Sequence, residues 1–115
     1  MSSGPRGVVL VSGDGSNLQA IIDEARRGAL GVTLAGVLSD RPGVRALERA
    51  RQAGIPATVV DYAAAGSRAA FGTRLADALA ELRPDIVVLA GFMRILPDAL
   101  VATYQGRMLN VHPSL

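Results

Sequence analysis

Unbroken apolar runs alternate along this chain with segments whose apolar residues recur every three or four positions. Residues 7–12 (G-V-V-L-V-S) are of the first kind, the pattern of a strand covered on both faces. Leu18, Ile21, Ile22 and Ala25 then recur at helical spacing. Arg26 and Arg27 fall in the last turn, where they complement the helix dipole, and Gly28 can take the left-handed position beyond it. Residues 32–38 predict a second strand, closed by Ser39-Asp40-Arg41-Pro42-Gly43. A second helix is expected over residues 44–53, stopped by Gly54 with Pro56 just beyond, and residues 57–60 predict a short third strand. Ser67 is placed to cap a third helix whose stripe is Phe71, Leu75, Ala78 and Leu82 and whose end Pro84 marks. A fourth strand over 86–90, a short helix over 97–104 opened by proline, and a fifth strand over 108–111 complete the pattern.

Strand and helix alternate throughout, which predicts an α/β fold with a doubly wound, mainly parallel sheet. Ligands in such sheets bind outside the carboxyl ends of the strands. Three loops leave from such ends, at residues 13–17, 91–96 and 110–114, and the topology can bring them to one site.

Composition narrows the chemistry. Only 3% of residues are aromatic, so Val, Leu, Ile and Ala must build the core. No cysteine is present, which excludes disulfides and thiolate metal sites and fits a reducing, cytoplasmic setting. Every basic side chain is arginine. The formal charge is only +2 and the arginines are scattered among acids, so a nucleic-acid surface has no support. The absence of lysine removes a Walker-type phosphate lysine and Schiff-base chemistry. Residues 1–6 are polar and the apolar run after them is too short for a signal peptide core or a membrane span.

Gly13-Asp14-Gly15-Ser16-Asn17 lies between a strand and a helix. It reads either as a phosphate cradle built on the helix N-terminus or as a turn whose glycines supply only backbone freedom. Leu18 stands where a dinucleotide fingerprint has its third glycine. Asp40 sits where a ribose-binding acid would, although Asp-Arg-Pro-Gly is also ordinary turn chemistry. Arg68 opposes the dipole in the first turn of its helix, and is either matched by an anion or simply solvated. Gly91-Phe92-Met93-Arg94-Ile95-Leu96 can wall a pocket for a flat heterocycle or pack as a plain connection. Asn110 and His112, the sole histidine, share one side of an extended segment. They are an oxyanion donor beside a proton carrier, or the polar end of a strand before Pro113.

Three segments together resemble the phosphoribosylglycinamide formyltransferase family: Ser12-Gly-Asp-Gly-Ser-Asn17, Ala90-Gly-Phe-Met-Arg-Ile-Leu96 and Leu109-Asn-Val-His-Pro-Ser-Leu115. The resemblance implies a Rossmann-like formyltransferase fold over residues 1–115, as the amino-terminal portion of a domain cut after the fifth strand. It implies transfer of a formyl group from 10-formyltetrahydrofolate to the amine of glycinamide ribonucleotide, in purine biosynthesis and one-carbon metabolism, with no metal. Gly15, Ser16 and Asn17 match the substrate-phosphate segment. Arg68, Met93, Arg94, Ile95, Leu96 and Asn110 match folate-binding positions, and Asn110 and His112 match the catalytic pair. Asp14 departs from the pattern, since many relatives carry a neutral residue there, and its carboxylate must turn from the phosphate or cost affinity. Family members continue into a second part carrying the aspartate that pairs with the histidine, so the isolated chain is expected to be inactive. A homodimer stays open, as do two folate relatives (methionyl-tRNA formyltransferase and 10-formyltetrahydrofolate hydrolase) and a non-catalytic nucleotide-binding module.

Overall fold

The computed structural model describes residues 4–111. The elements run β1 (Arg6–Val11), α1 (Ser16–Arg26), β2 (Thr33–Ser39), α2 (Arg45–Gln52), β3 (Ala57–Val59), α3 (Tyr62–Ala65), α4 (Arg68–Leu82), β4 (Ile86–Ala90), α5 (Asp98–Thr103) and β5 (Met108–Val111). Five strands form one sheet in the order β3-β2-β1-β4-β5, and every pairing is parallel. The expected doubly wound sheet is therefore present. The short α3 was not expected from the pattern: its four residues carry no buried side chain, so no apolar periodicity announces it. Asp61 caps it, accepting from the amides of Ala63 and Ala64.

The chain leaves β1 toward β2 and β3, then crosses back to lay β4 and β5 on the other side of β1. Right-handed crossovers running outward in opposite directions land on opposite faces, and the core divides accordingly. Val9, Val11 and Val37 meet Leu18, Ile22, Ala46 and Ala50 of α1 and α2. Val8, Leu10, Leu38 and Val87 meet Phe71, Leu75 and Leu79 of α4, with Leu100 and Tyr104. Successive β1 residues alternate between the two layers, as the pleat requires, and Val8 to Val11 have no exposed surface at all. This is why β1 reads as an unbroken apolar run.

Small differences from the sequence pattern have local causes. The buried stripe of α4 is Phe71, Leu75 and Leu79, with Ala78 and Leu82 only half-buried. Gly72 completes that face, because a Cβ there would meet Pro97 Cγ at 2.7 Å. At the sheet margin, Met108 packs on the α4 layer while Leu109 faces the other way and remains 54% exposed. Among the described residues, the layer on Leu109's side is built by α1 and α2, whose packing reaches β4 but not β5.

Candidate functional site

The strand order reverses between β1 and β4, and the loops after these two strands face each other across the resulting crevice. A cleft of about 340 Å³ opens there, lined by the 12–17 segment together with Arg41, Ala90, Gly91 and Met93. Gly15 is the N-cap of α1, in the left-handed region at φ 82°, and no side chain caps the helix. The first-turn amides thus point into the cleft uncapped, with no acid in that turn, which favours an anion. Gly15 also has a steric reason to be glycine: a Cβ would lie 2.8 Å from both Cα and Cβ of Ala46 in α2. The loop is pinned to α2 on the far side as well, where Gly13 accepts from the Ala46 amide at 3.1 Å.

Asp14 has an answer in Arg49, a residue the sequence pattern did not single out. Arg49 donates through Nε to the Asp14 carbonyl at 2.8 Å and lies 3.4 Å from its carboxylate. A further Arg49 nitrogen reaches Gln19 Oε1 at 3.3 Å. The loop carboxylate is drawn toward α2, and its charge is matched before any anion arrives. Arg49 reads in sequence as an unremarkable helix-surface cation; only the close approach of α2, permitted by Gly15, gives it this task.

The 91–96 segment forms the opposite wall. The Met93 amide donates to Ser12 Oγ at 2.8 Å, tying this wall to the root of the glycine-rich loop. Arg94 turns inward: its Nε is 2.7 Å from Asp40 Oδ2, and its guanidinium lies 3.8 Å above the Tyr62 ring. Tyr62 in turn meets the Phe71 ring edge-on at 5.0 Å. Asp40, considered above as a ribose ligand, is thus turned away into an ion pair with a fully buried side chain. Met93 and Ile95 are 70% and 79% exposed.

Arg68, the first residue of α4, follows the N-cap Ser67, whose Oγ accepts from the Ala70 amide at 3.0 Å. Among the described residues Arg68 forms no ion pair. It faces a second cavity of about 430 Å³ whose walls include Phe71, Ile95, Leu96 and Pro97. A smaller recess of about 150 Å³ joins Arg68 to Tyr62, Met93, Arg94 and Ile95. The structure therefore brings Gly15, Ser16 and Asn17 to one cleft, and Arg68 with Ile95 and Leu96 to a neighbouring one, with Met93 lining both the cleft and the recess. Asn110 is exposed at the carboxyl end of β5, beside Leu89 of β4. His112 lies outside the described residues, and so does the geometry of its pairing with Asn110. No cluster of side chains suited to a metal occurs among the described residues, and no described helix is long and apolar enough to cross a membrane.

Comparison with known proteins gives a consistent set of relatives. The chain matches the family described as Formyl transferase over residues 5–115. It is 50% identical over 108 residues to the phosphoribosylglycinamide formyltransferase of Escherichia coli, an alignment covering 94% of this chain and 51% of that protein. It is 46% identical to the trifunctional purine biosynthetic protein adenosine-3 of Bos taurus, covering 96% of this chain and 11% of that one. Among solved structures, glycinamide ribonucleotide transformylase 1 from Symbiobacterium toebii superposes with a TM-score of 0.90 at 44% identity, covering all of this chain and 54% of that one. The chain spans about half the length of the single-function relatives it matches.

Proposed function

Since this chain belongs to the formyl transferase family, we propose that it supplies the phosphate loop, part of the folate pocket and the start of the catalytic motif of a phosphoribosylglycinamide formyltransferase. The supporting observation is the uncapped N-terminus of α1 facing the 91–96 wall across the switch-point cleft. The substrate phosphate sits on the amides and side chains of Gly15, Ser16 and Asn17, its charge spared from Asp14 by Arg49. The pterin of 10-formyltetrahydrofolate lies along Met93, Arg94, Ile95 and Leu96, reading their backbone groups, and Arg68 meets the anionic end of the folate.

In the reaction the substrate amine attacks the formyl carbon, and the carbonyl oxygen takes up negative charge. Asn110 donates to that oxygen with protonated His112 beside it, and the folate N10 departs as protons move through His112 or water. No metal enters this scheme. The preferred setting is cytoplasmic, and neither nucleic acid nor membrane is a partner.

The test has two arms. Titration of the protein with inorganic phosphate, followed by amide chemical shifts, is expected to move Gly15, Ser16 and Asn17 most. In a protein extended to the length of its relatives, Asn110→Ala and His112→Ala are each expected to slow formyl transfer by roughly a hundredfold, the scale of losing an oxyanion donor or a placed acid–base group. Near-normal turnover in either variant removes that residue from the mechanism.

A further inference from the structure

The 91–96 wall has its polarity inverted. Met93 and Ile95 stand out at 70% and 79% exposure, while the charged residue between them turns in. Burial of apolar surface favours the opposite arrangement, so something must hold this one. Three ties do so at two consecutive residues: Met93 N to Ser12 Oγ at 2.8 Å, Arg94 Nε to Asp40 Oδ2 at 2.7 Å, and the Arg94 guanidinium at 3.8 Å over Tyr62. We infer that Asp40, Arg94 and Tyr62 form a latch that keeps this wall turned outward, making Asp40 and Arg94 positioning residues for the ring-binding face.

Asp40 is well suited to anchoring. Its amide donates to Val11 and its carbonyl accepts from Tyr62, so its backbone is fixed to the end of β1 and the start of α3. Its side chain is fully buried, Arg94, at 31% exposure, is its ion-pair partner among the described residues, and Oδ1 accepts no hydrogen bond there. A half-satisfied buried carboxylate is costly for a fold to keep, which argues for a task beyond packing. Arginine suits the position: its planar guanidinium stacks on a ring while its Nε meets a carboxylate, a combination lysine lacks. The Arg94 side chain is then occupied within the protein, and the segment offers a ligand its backbone and the apolar surfaces of Met93 and Ile95.

The latch rests on the pterin reading above, and the experiment separates the two. Amide hydrogen exchange and titrations with folic acid and inorganic phosphate are compared across the parent protein, Asp40→Asn, Arg94→Gln, Arg94→Lys and Tyr62→Phe. Asp40→Asn and Arg94→Gln are expected to speed exchange at the Met93 amide and weaken folic acid by at least about tenfold each, the scale of one charge-assisted hydrogen bond. Phosphate binding is expected to stay at the parental value and Met93 exchange to rise well beyond any rise within β1, which separates local release of the wall from general unfolding. Arg94→Lys falls between, and Tyr62→Phe, which keeps the ring face, matches the parent. Unchanged Met93 exchange in both Asp40→Asn and Arg94→Gln overturns the latch. Faster exchange with undiminished folic acid binding also overturns it, since the pair then serves the fold alone. If folic acid leaves the parent's 93–96 amides unmoved, the pterin reading fails, while Met93 exchange still decides whether the loop is latched.

Discussion

At the residue scale, the proposed phosphate site on the 13–17 loop depends on two side-chain facts. Asp14 is tolerable because Arg49 draws its charge toward α2. Arg49→Gln is therefore expected to weaken phosphate binding by roughly tenfold, since an unmatched carboxylate then borders the anion. Adding Asp14→Asn to that variant removes the repulsion and is expected to restore most of the loss. A double-mutant cycle on phosphate affinity measures this, and strict additivity of the two changes would sink the idea. Gly15 carries a different constraint. Its positive φ and the 2.8 Å approach of Ala46 leave no room for a methyl group. Gly15→Ala is expected to cost at least about 2 kcal/mol in denaturant melts, by combining left-handed strain with overpacking, and to abolish the phosphate response. Arg94→Ala leaves Asp40 buried without its cation, and a loss of about 3 kcal/mol is expected in the same melts, the lower end of the range for a broken buried pair.

At the scale of elements, α4 illustrates how a helix aims a side chain into a cavity. Ser67 caps it, and the missing side chain at Gly72 lets it settle on Pro97, so Arg68 opens onto the cavity bounded by Ile95 and Leu96. Ser67→Ala is expected to cost about 1 kcal/mol, measurable by denaturant unfolding, and to weaken folic acid more than phosphate because the fraying turn is the one bearing Arg68. Equal losses for both ligands would contradict this division of labour between α1 and α4. The short α3 meets the wall through Tyr62, which presents one ring to Arg94 and to Phe71 and joins the wall to the core.

At the scale of the whole molecule, β5 leaves a sheet margin with Leu109 exposed at its face. Unpaired apolar edges are templates for association. The 115-residue chain is expected to self-associate in light scattering and to show no formyl transfer while still responding to phosphate. Turnover by a monodisperse monomer of 11.9 kDa would mean that the proposed catalytic arrangement is wrong. The five strands, the four longer helices and the meeting of the 13–17 and 91–96 loops were legible in the sequence because each rests on local regularities: buried parallel strands are uniformly apolar, helices carry stripes, and Gly, Pro and Ser punctuate them. The glycine-rich turn before α1 and the 91–96 connection were legible as segments for the same reason. Asp40, Arg49 and Tyr62 were not legible in their tasks, because nothing in their local sequence distinguishes a turn aspartate, a surface arginine or a short-helix tyrosine from any other. Their partners are 54, 35 and 32 positions away. Sequence alone determined the strands and the longer helices and which residue types line the strand ends; the tertiary structure decided where α3 forms and which charges meet, because ion pairing and stacking depend on distances that only chain crossing and helix packing set.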